Sequence, residues 1–302
     1  MIIAAASADP GIWGQLFDYD DYGELLALVT NSLIAGAVLG VVGGLISVFV
    51  MMRDLAFAVH GIAELSFAGA SAALLFGVNV VAGSLIGSVI AAAIIGVLGI
   101  RARDRNSIIG VLMPFGLGLG VLFLALYKGR AANKFGLLTG QIVAVDTPQM
   151  SWLIATCAVV LVALAVLWRP LIFASVDPGV AAARGVPVRA LSPVFTVVLG
   201  LAVAVSIQVV GALLVLALVV TPAAAAMRVT ASPRLVPLLS VVFAVTSVVG
   251  GILLALGGSI PISPYVTTIA FTIFLSCRTI EALRARLRRQ LKGRSAAAYG
   301  LR

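Results

Sequence analysis

Long apolar runs recur along the whole of this chain, and they leave it few ways to fold. Nine can be marked, at roughly 26–52, 55–77, 79–100, 108–127, 151–168, 190–207, 210–227, 235–257 and 264–281. A helix needs about 20 predominantly apolar residues to cross a hydrocarbon layer about 30 Å thick, and these runs approach or exceed that length. The expectation is an all-α, polytopic transmembrane helix bundle of about nine spans. Only Ser206–Gln208 interrupts the sixth and seventh runs, so eight or ten spans also fit. Composition agrees: 62% hydrophobic, 10% charged and a mean hydropathy of +1.20, which no water-soluble globule of this size has.

Charge gives the orientation. With the N-terminus outside, the C-terminus inside and nine crossings, the inner side receives Arg53, Arg101, Arg103, Arg105, Arg169, Arg184, Arg189, Arg228, Arg234 and the basic residues from Arg278 to Arg302. Only Lys128, Arg130 and Lys134 of the 20 basic residues then remain outside. The positive-inside rule selects this arrangement over its inverse. Net charge of +9 is therefore read as topology and as attraction of the basic tail to anionic lipid headgroups, with no nucleic-acid partner.

Three regions result. Residues 1–25 form an external acidic lead-in, with Asp18, Asp20, Asp21 and Glu24 among Trp13, Phe17, Tyr19 and Tyr22; residues 26–281 form the membrane domain; residues 282–302 form a basic cytoplasmic tail that continues the last helix. The opening MIIAAASADPG lacks the basic and long apolar parts of a signal peptide. Gly36, Gly40 and Gly44 in the first span make a small-residue stripe suited to close helix packing.

The second span carries the chain's only histidine, His60, and the only carboxylate well inside an apolar run, Glu64. Four residues apart on a helix, their side chains share one face. An acidic group near mid-membrane costs about 2.5–3.5 kcal/mol on insertion scales, so it needs a partner or a task. Imidazole with carboxylate suits zinc, iron or manganese. The same spacing also serves an ion pair that merely holds neighbouring helices. Ser66, Cys157, Cys277 and Gln208 are the weaker candidates for further ligands.

The inner loop 169–189 holds a short helix signal. Asp177 suits the N-cap, Pro178 the first helical position, and Gly185 before Pro187 the C-terminal stop, with Arg184 alongside. About two turns cannot cross a membrane, but they can lie along its face and dock into another protein's groove; a loop ordered for its own sake is the alternative. The outer segment KFGLLTGQIVAVD, within 128–150, is semi-apolar and suits an interfacial or re-entrant position.

No GxxxxGK[ST], HExxH or GxSxG occurs, and no extramembrane stretch exceeds about 25 residues. Two cysteines define neither a disulfide framework nor a CxxC site. Transport, gating or signalling inside the bilayer are the remaining classes. An ion-coupled secondary transporter would need more carboxylates for its coupling ion, and a channel a ring of ligands.

Five stretches resemble the ABC-type zinc/manganese/iron permeases, membrane subunits of bacterial metal-uptake importers. They are RDLAFAVHGIAELSFAGASAALLFG, SIIGVLMPFGLGLGVLF, LLTGQIVAVD, VDPGVAAARGVPVRAL and VGALLVLALVVTPAAAA, within a similarity over roughly residues 30–280. The first is similar to a family segment that reads close to GDALSHAVLPGVALAFLLG. The family's metal-contacting Asp and His fall on His60 and Glu64, so the order of nitrogen and carboxylate is exchanged here. Ala68 stands where the family has proline, and Gly179 where the coupling element has an acidic residue.

The resemblance implies a permease in the bacterial plasma (inner) membrane that moves a divalent zinc, manganese or iron ion inward by alternating access and binds no permanent cofactor. Its implied partners are a second permease copy, two cytoplasmic ATPase subunits that hydrolyse the ATP, and an external metal-binding protein. Asp177, Pro178, Arg184 and Gly185 then form the ATPase-coupling element, and His60 and Glu64 the metal pair.

Overall fold

The computed structural model describes residues 29–99, 102–130, 134, 136–138, 147–212, 215–256 and 261–298, with Gly23 and Leu26. The acidic lead-in lies almost wholly outside the described residues, as do the tip of the outer loop (139–146) and the last four residues of the tail.

Among the described residues every element is a helix: α1 Thr30–Met52, α2 Ala56–Phe76, α3 Val80–Leu98, α4 Ala102–Leu126, α5 Thr147–Val176, α6 Pro178–Ala183, α7 Val188–Val210, α8 Val215–Val219, α9 Thr221–Val229, α10 Leu235–Ala255 and α11 Ile262–Ala298. Eight are long and apolar enough to cross a membrane.

Close contacts fix the direction of each pass. The stripe on α1 lies against α10 in antiparallel sense: a Cβ on Gly40 would stand 2.8 Å from the Val245 Cα, and one on Gly44 2.6 Å from the Val241 Cα. Only glycine permits this approach, and Ser240 clamps it by donating its hydroxyl to the Gly44 carbonyl at 2.7 Å. Gly96 of α3 meets Pro193 of α7, and Gly200 of α7 meets Ser88 and Ala92, again antiparallel. In contrast α2 and α4 run parallel, with Gly61 against Ile109, Leu65 against Gly116 and Phe67 against Gly120.

The seventh apolar segment is discontinuous. α8 and α9 run in the same sense as α1, with Leu218 at Gly43 and Val220 at Ser47. Their fourteen helical residues rise about 21 Å, shorter than the eight long helices but running through the bundle beside α1. Eight continuous helices and this broken one give nine passes, so α1 begins and α11 ends at opposite ends of the bundle. Non-helical backbone is tolerated at this depth because protein surrounds it: Val215, Leu218 and Val219 are buried.

Several boundaries differ from the sequence reading. The sixth span does not stop at Ser206–Gln208, because Ser206 satisfies its hydroxyl on the Ala202 carbonyl at 2.7 Å and the helix continues. It ends at Gly211, whose φ of 86° ends the regular helix. The fifth span runs through Pro170 to Val176, so the inner loop begins at Asp177 rather than residue 169. The last helix continues to Ala298, as the tail's sequence requires. Of the outer loop, Leu137 and Leu138 pack on the core, and the Leu137 carbonyl accepts from Ala212 N–H at 3.4 Å.

Candidate functional site

α2 is the scaffold of the site. It is packed between α4, α3 and α7, and its apolar surface is largely buried. Glu64 stands about 13 Å along this helix, close to mid-depth, with a side chain only 6% exposed. His60, one turn earlier, keeps 31% of its side chain accessible and brings Nε2 to 3.8 Å from the Glu64 carboxylate. That distance marks an electrostatic neighbour rather than a hydrogen bond. The other ring nitrogen, Nδ1, is buried and has no hydrogen-bond partner.

Gly116 makes the burial possible. A Cβ there would stand 3.0 Å from the Glu64 backbone carbon, so α4 lies directly on the helix that carries the pair. The structure therefore brings His60 and Glu64 together, as their spacing requires. It adds no third strong ligand: among the described residues no three His, Cys, Asp or Glu side chains converge.

The weaker candidates do not join the pair. Ser66 is engaged with Ser84, donating to its carbonyl at 3.0 Å with the hydroxyls 2.8 Å apart. Cys157 and Cys277 are buried free thiols on α5 and α11. The Gln208 side chain lies outside the described residues. Ser71, seven residues beyond Glu64 and hence on the same face, has a buried hydroxyl without a partner. Sequence reading missed it because serine in an apolar helix gives no signal above ordinary packing.

At the basic end α6 forms as its caps require. Asp177 accepts the Val180 N–H at 2.9 Å, Pro178 occupies the first turn, and Gly185 takes a φ of 85°. Gly185 N–H donates to the Ala182 carbonyl and Val186 N–H to the Ala181 carbonyl, closing the C-terminus. Only Ala181 of α6 is buried, and Arg184 and Gly185 are exposed. The element is rigid, short and presented outward.

Nine apolar passes around a buried carboxylate, with a capped helix on the surface, define a multi-pass membrane protein of the permease class. The chain belongs to the ABC 3 transport family, whose model matches residues 26–280. It is 26% identical to the manganese transport system membrane protein MntC of Halalkalibacterium halodurans, over 81% of this chain and 84% of that one. It is 22% identical to the high-affinity zinc uptake system membrane protein ZnuB of Haemophilus influenzae, over 76% and 89% of the two chains. The solved structure of PsaBC from Streptococcus pneumoniae in complex with Fab superimposes with a TM-score of 0.76 at 25% identity, covering 85% of this chain and 94% of that one.

Proposed function

We propose that this chain is the membrane permease subunit of an ABC importer that carries a divalent transition metal, zinc, manganese or iron, inward across the bacterial plasma membrane. Relatives named for manganese and zinc transport support the cargo class. The observation that carries the reading is the His60–Glu64 pair, a nitrogen and a carboxylate held 3.8 Å apart inside an otherwise apolar bundle. A carboxylate so placed attracts a cation and imidazole gives it a borderline-soft donor.

Two ligands fall short of the four that zinc usually takes. A twofold-symmetric pair of chains completes the set, with two histidines and two carboxylates about one axis. The partial exposure of His60 supports that arrangement, since its ring edge is not sealed within one copy. Two cytoplasmic ATPase subunits hydrolyse the ATP and dock on Asp177, Pro178, Arg184 and Gly185, and an external metal-binding protein delivers the ion. In this orientation the N-terminus lies outside and the basic tail faces the cytoplasm.

Metal uptake in cells carrying the chain with its partner subunits tests the reading. His60→Ala and Glu64→Ala abolish uptake while dimer and ATPase assembly persist, and Glu64→Gln fails because the charge is lost. Normal uptake by the double alanine variant would overturn the metal site. Cysteine placed at position 60 crosslinks between copies; its absence in every conformational state overturns the shared geometry alone.

A further inference from the structure

At the basic end of the bundle two arginines meet without a carboxylate. Arg53, directly after α1, lays its guanidinium over the buried Phe195 ring, with Cζ 5.6 Å from the centroid. Arg105, in the first turn of α4, donates Nη2 to the Asp54 carbonyl at 3.3 Å. Asp54 has a φ of 54°, a left-handed conformation that aspartate adopts more readily than most residues, and its side chain is exposed. Arg53 Nη1 and Arg105 Nε are buried and have no hydrogen-bond partner. Among the described residues the only ion pairs are His60–Glu64 and Arg228–Glu281, so neither arginine is neutralised by a carboxylate.

Partly desolvated like charges are unfavourable unless a counter-charge joins them. Burial first, and the nearby charge of Arg105 second, hold Arg53 below the ordinary arginine range. Both side chains nevertheless keep partial exposure, so each presents an outer edge at the rim of the bundle. Planar guanidinium forks match phosphate oxygens two at a time, which ammonium groups do not. With the basic end inside, this rim lies at the depth of the anionic headgroups of the inner leaflet.

We propose that Arg53 and Arg105 together form a binding site for a phosphate oxyanion where the α1–α2 and α3–α4 connections meet. The oxyanion comes from an anionic phospholipid headgroup or from free phosphate. The site does not depend on the metal reading and would stand if His60 and Glu64 bound nothing.

Thermal unfolding of the purified full-length chain tests this. One arm uses neutral detergent with inorganic phosphate against chloride at equal ionic strength. The other uses nanodiscs of phosphatidylcholine with and without phosphatidylglycerol, with native mass spectrometry of retained lipid. Wild type is stabilised in at least one arm. Arg53→Gln and Arg105→Gln each weaken that response about tenfold. Should either fail to fold, the corresponding lysine variant keeps the charge, loses the paired donors, and weakens the response by less. Stabilisation by phosphatidylglycerol alone assigns a headgroup, and by phosphate alone a free ion. Absence of any wild-type response overturns the site. So does an equal loss in Arg189→Gln, an exposed residue at the same end, because the attraction would then be diffuse. Arginine variants that respond normally to phosphate but lose the ATPase subunits also overturn it, in favour of a protein carboxylate.

Discussion

The Ser47 hydroxyl lies 3.0 Å from the Val220 carbonyl and donates to it, across 173 residues of sequence. The same oxygen accepts the Ala223 N–H at 3.1 Å, so one side chain on α1 satisfies both sides of the break between α8 and α9. Val220 takes a non-helical φ of −123° and Pro222 follows at the start of α9, where it has no N–H to offer. The interruption is therefore built into the sequence and patched from another helix.

Ser47→Ala leaves the Ala223 N–H unpaired in a water-poor interior, at about 1–3 kcal/mol for a buried group, while the Val220 carbonyl keeps the Ala224 N–H at 3.2 Å. Unfolding of the detergent-solubilised protein by a denaturing detergent is expected to show a destabilisation of about 1–3 kcal/mol. A variant as stable as wild type would mean that the break does not rely on Ser47.

Gly44→Ala drives a methyl to 2.6 Å from the Val241 Cα, a backbone atom that cannot rotate away. Helices α1 and α10 must separate, and the Ser240 hydrogen bond to the Gly44 carbonyl lengthens with them. The expected cost is about 1–3 kcal/mol or more, against little change for Gly110→Ala, where nothing lies within 4 Å of the added carbon. Thermal unfolding of the two variants side by side checks the contrast.

Gly185→Val forces a β-branched residue to the φ of 85° that closes α6. Membrane insertion and dimer assembly are expected to survive, because α6 is superficial, while ATP hydrolysis uncouples from uptake. Asp177→Ala removes the cap on Val180 N–H and gives a milder form, about 1 kcal/mol of local stability. Normal coupling in Gly185→Val excludes this loop as the transmission element.

Cysteine at Ser175 labels only from the cytoplasm and cysteine at Thr147 only from outside, at the two ends of one helix. The basic residues require this sense of insertion. Reversed labelling would invert every inner and outer assignment together.

What the sequence made legible was whatever rests on local rules. The His60–Glu64 pair needed only helical periodicity, and α6 only its caps. The glycine stripe on α1 followed from spacing alone. The break at Val220 was hidden because its repair comes from Ser47, far away in sequence. Helix α5 passes Pro170 without stopping, since a membrane helix continues where its neighbours and the lack of competing water favour it. The meeting of Arg53 and Arg105 was invisible for a similar reason: both were counted as topology signals, and only the fold brings Arg105 to the carbonyl of Asp54, the residue after Arg53.

Helix α11 has 37 residues and so measures about 55 Å, nearly twice the thickness of a hydrocarbon core. Its distal half continues as helix past the apolar span, which the length of a membrane crossing alone does not require. Near the start of that half Arg284 donates to the Val229 carbonyl at 3.0 Å and Glu281 pairs with Arg228 at 3.5 Å, both on the final turn of the interrupted pass. Any tilt of α9 is thereby handed to a lever whose free arm extends about 25 Å beyond Glu281, so a small displacement within the membrane becomes a large one outside it.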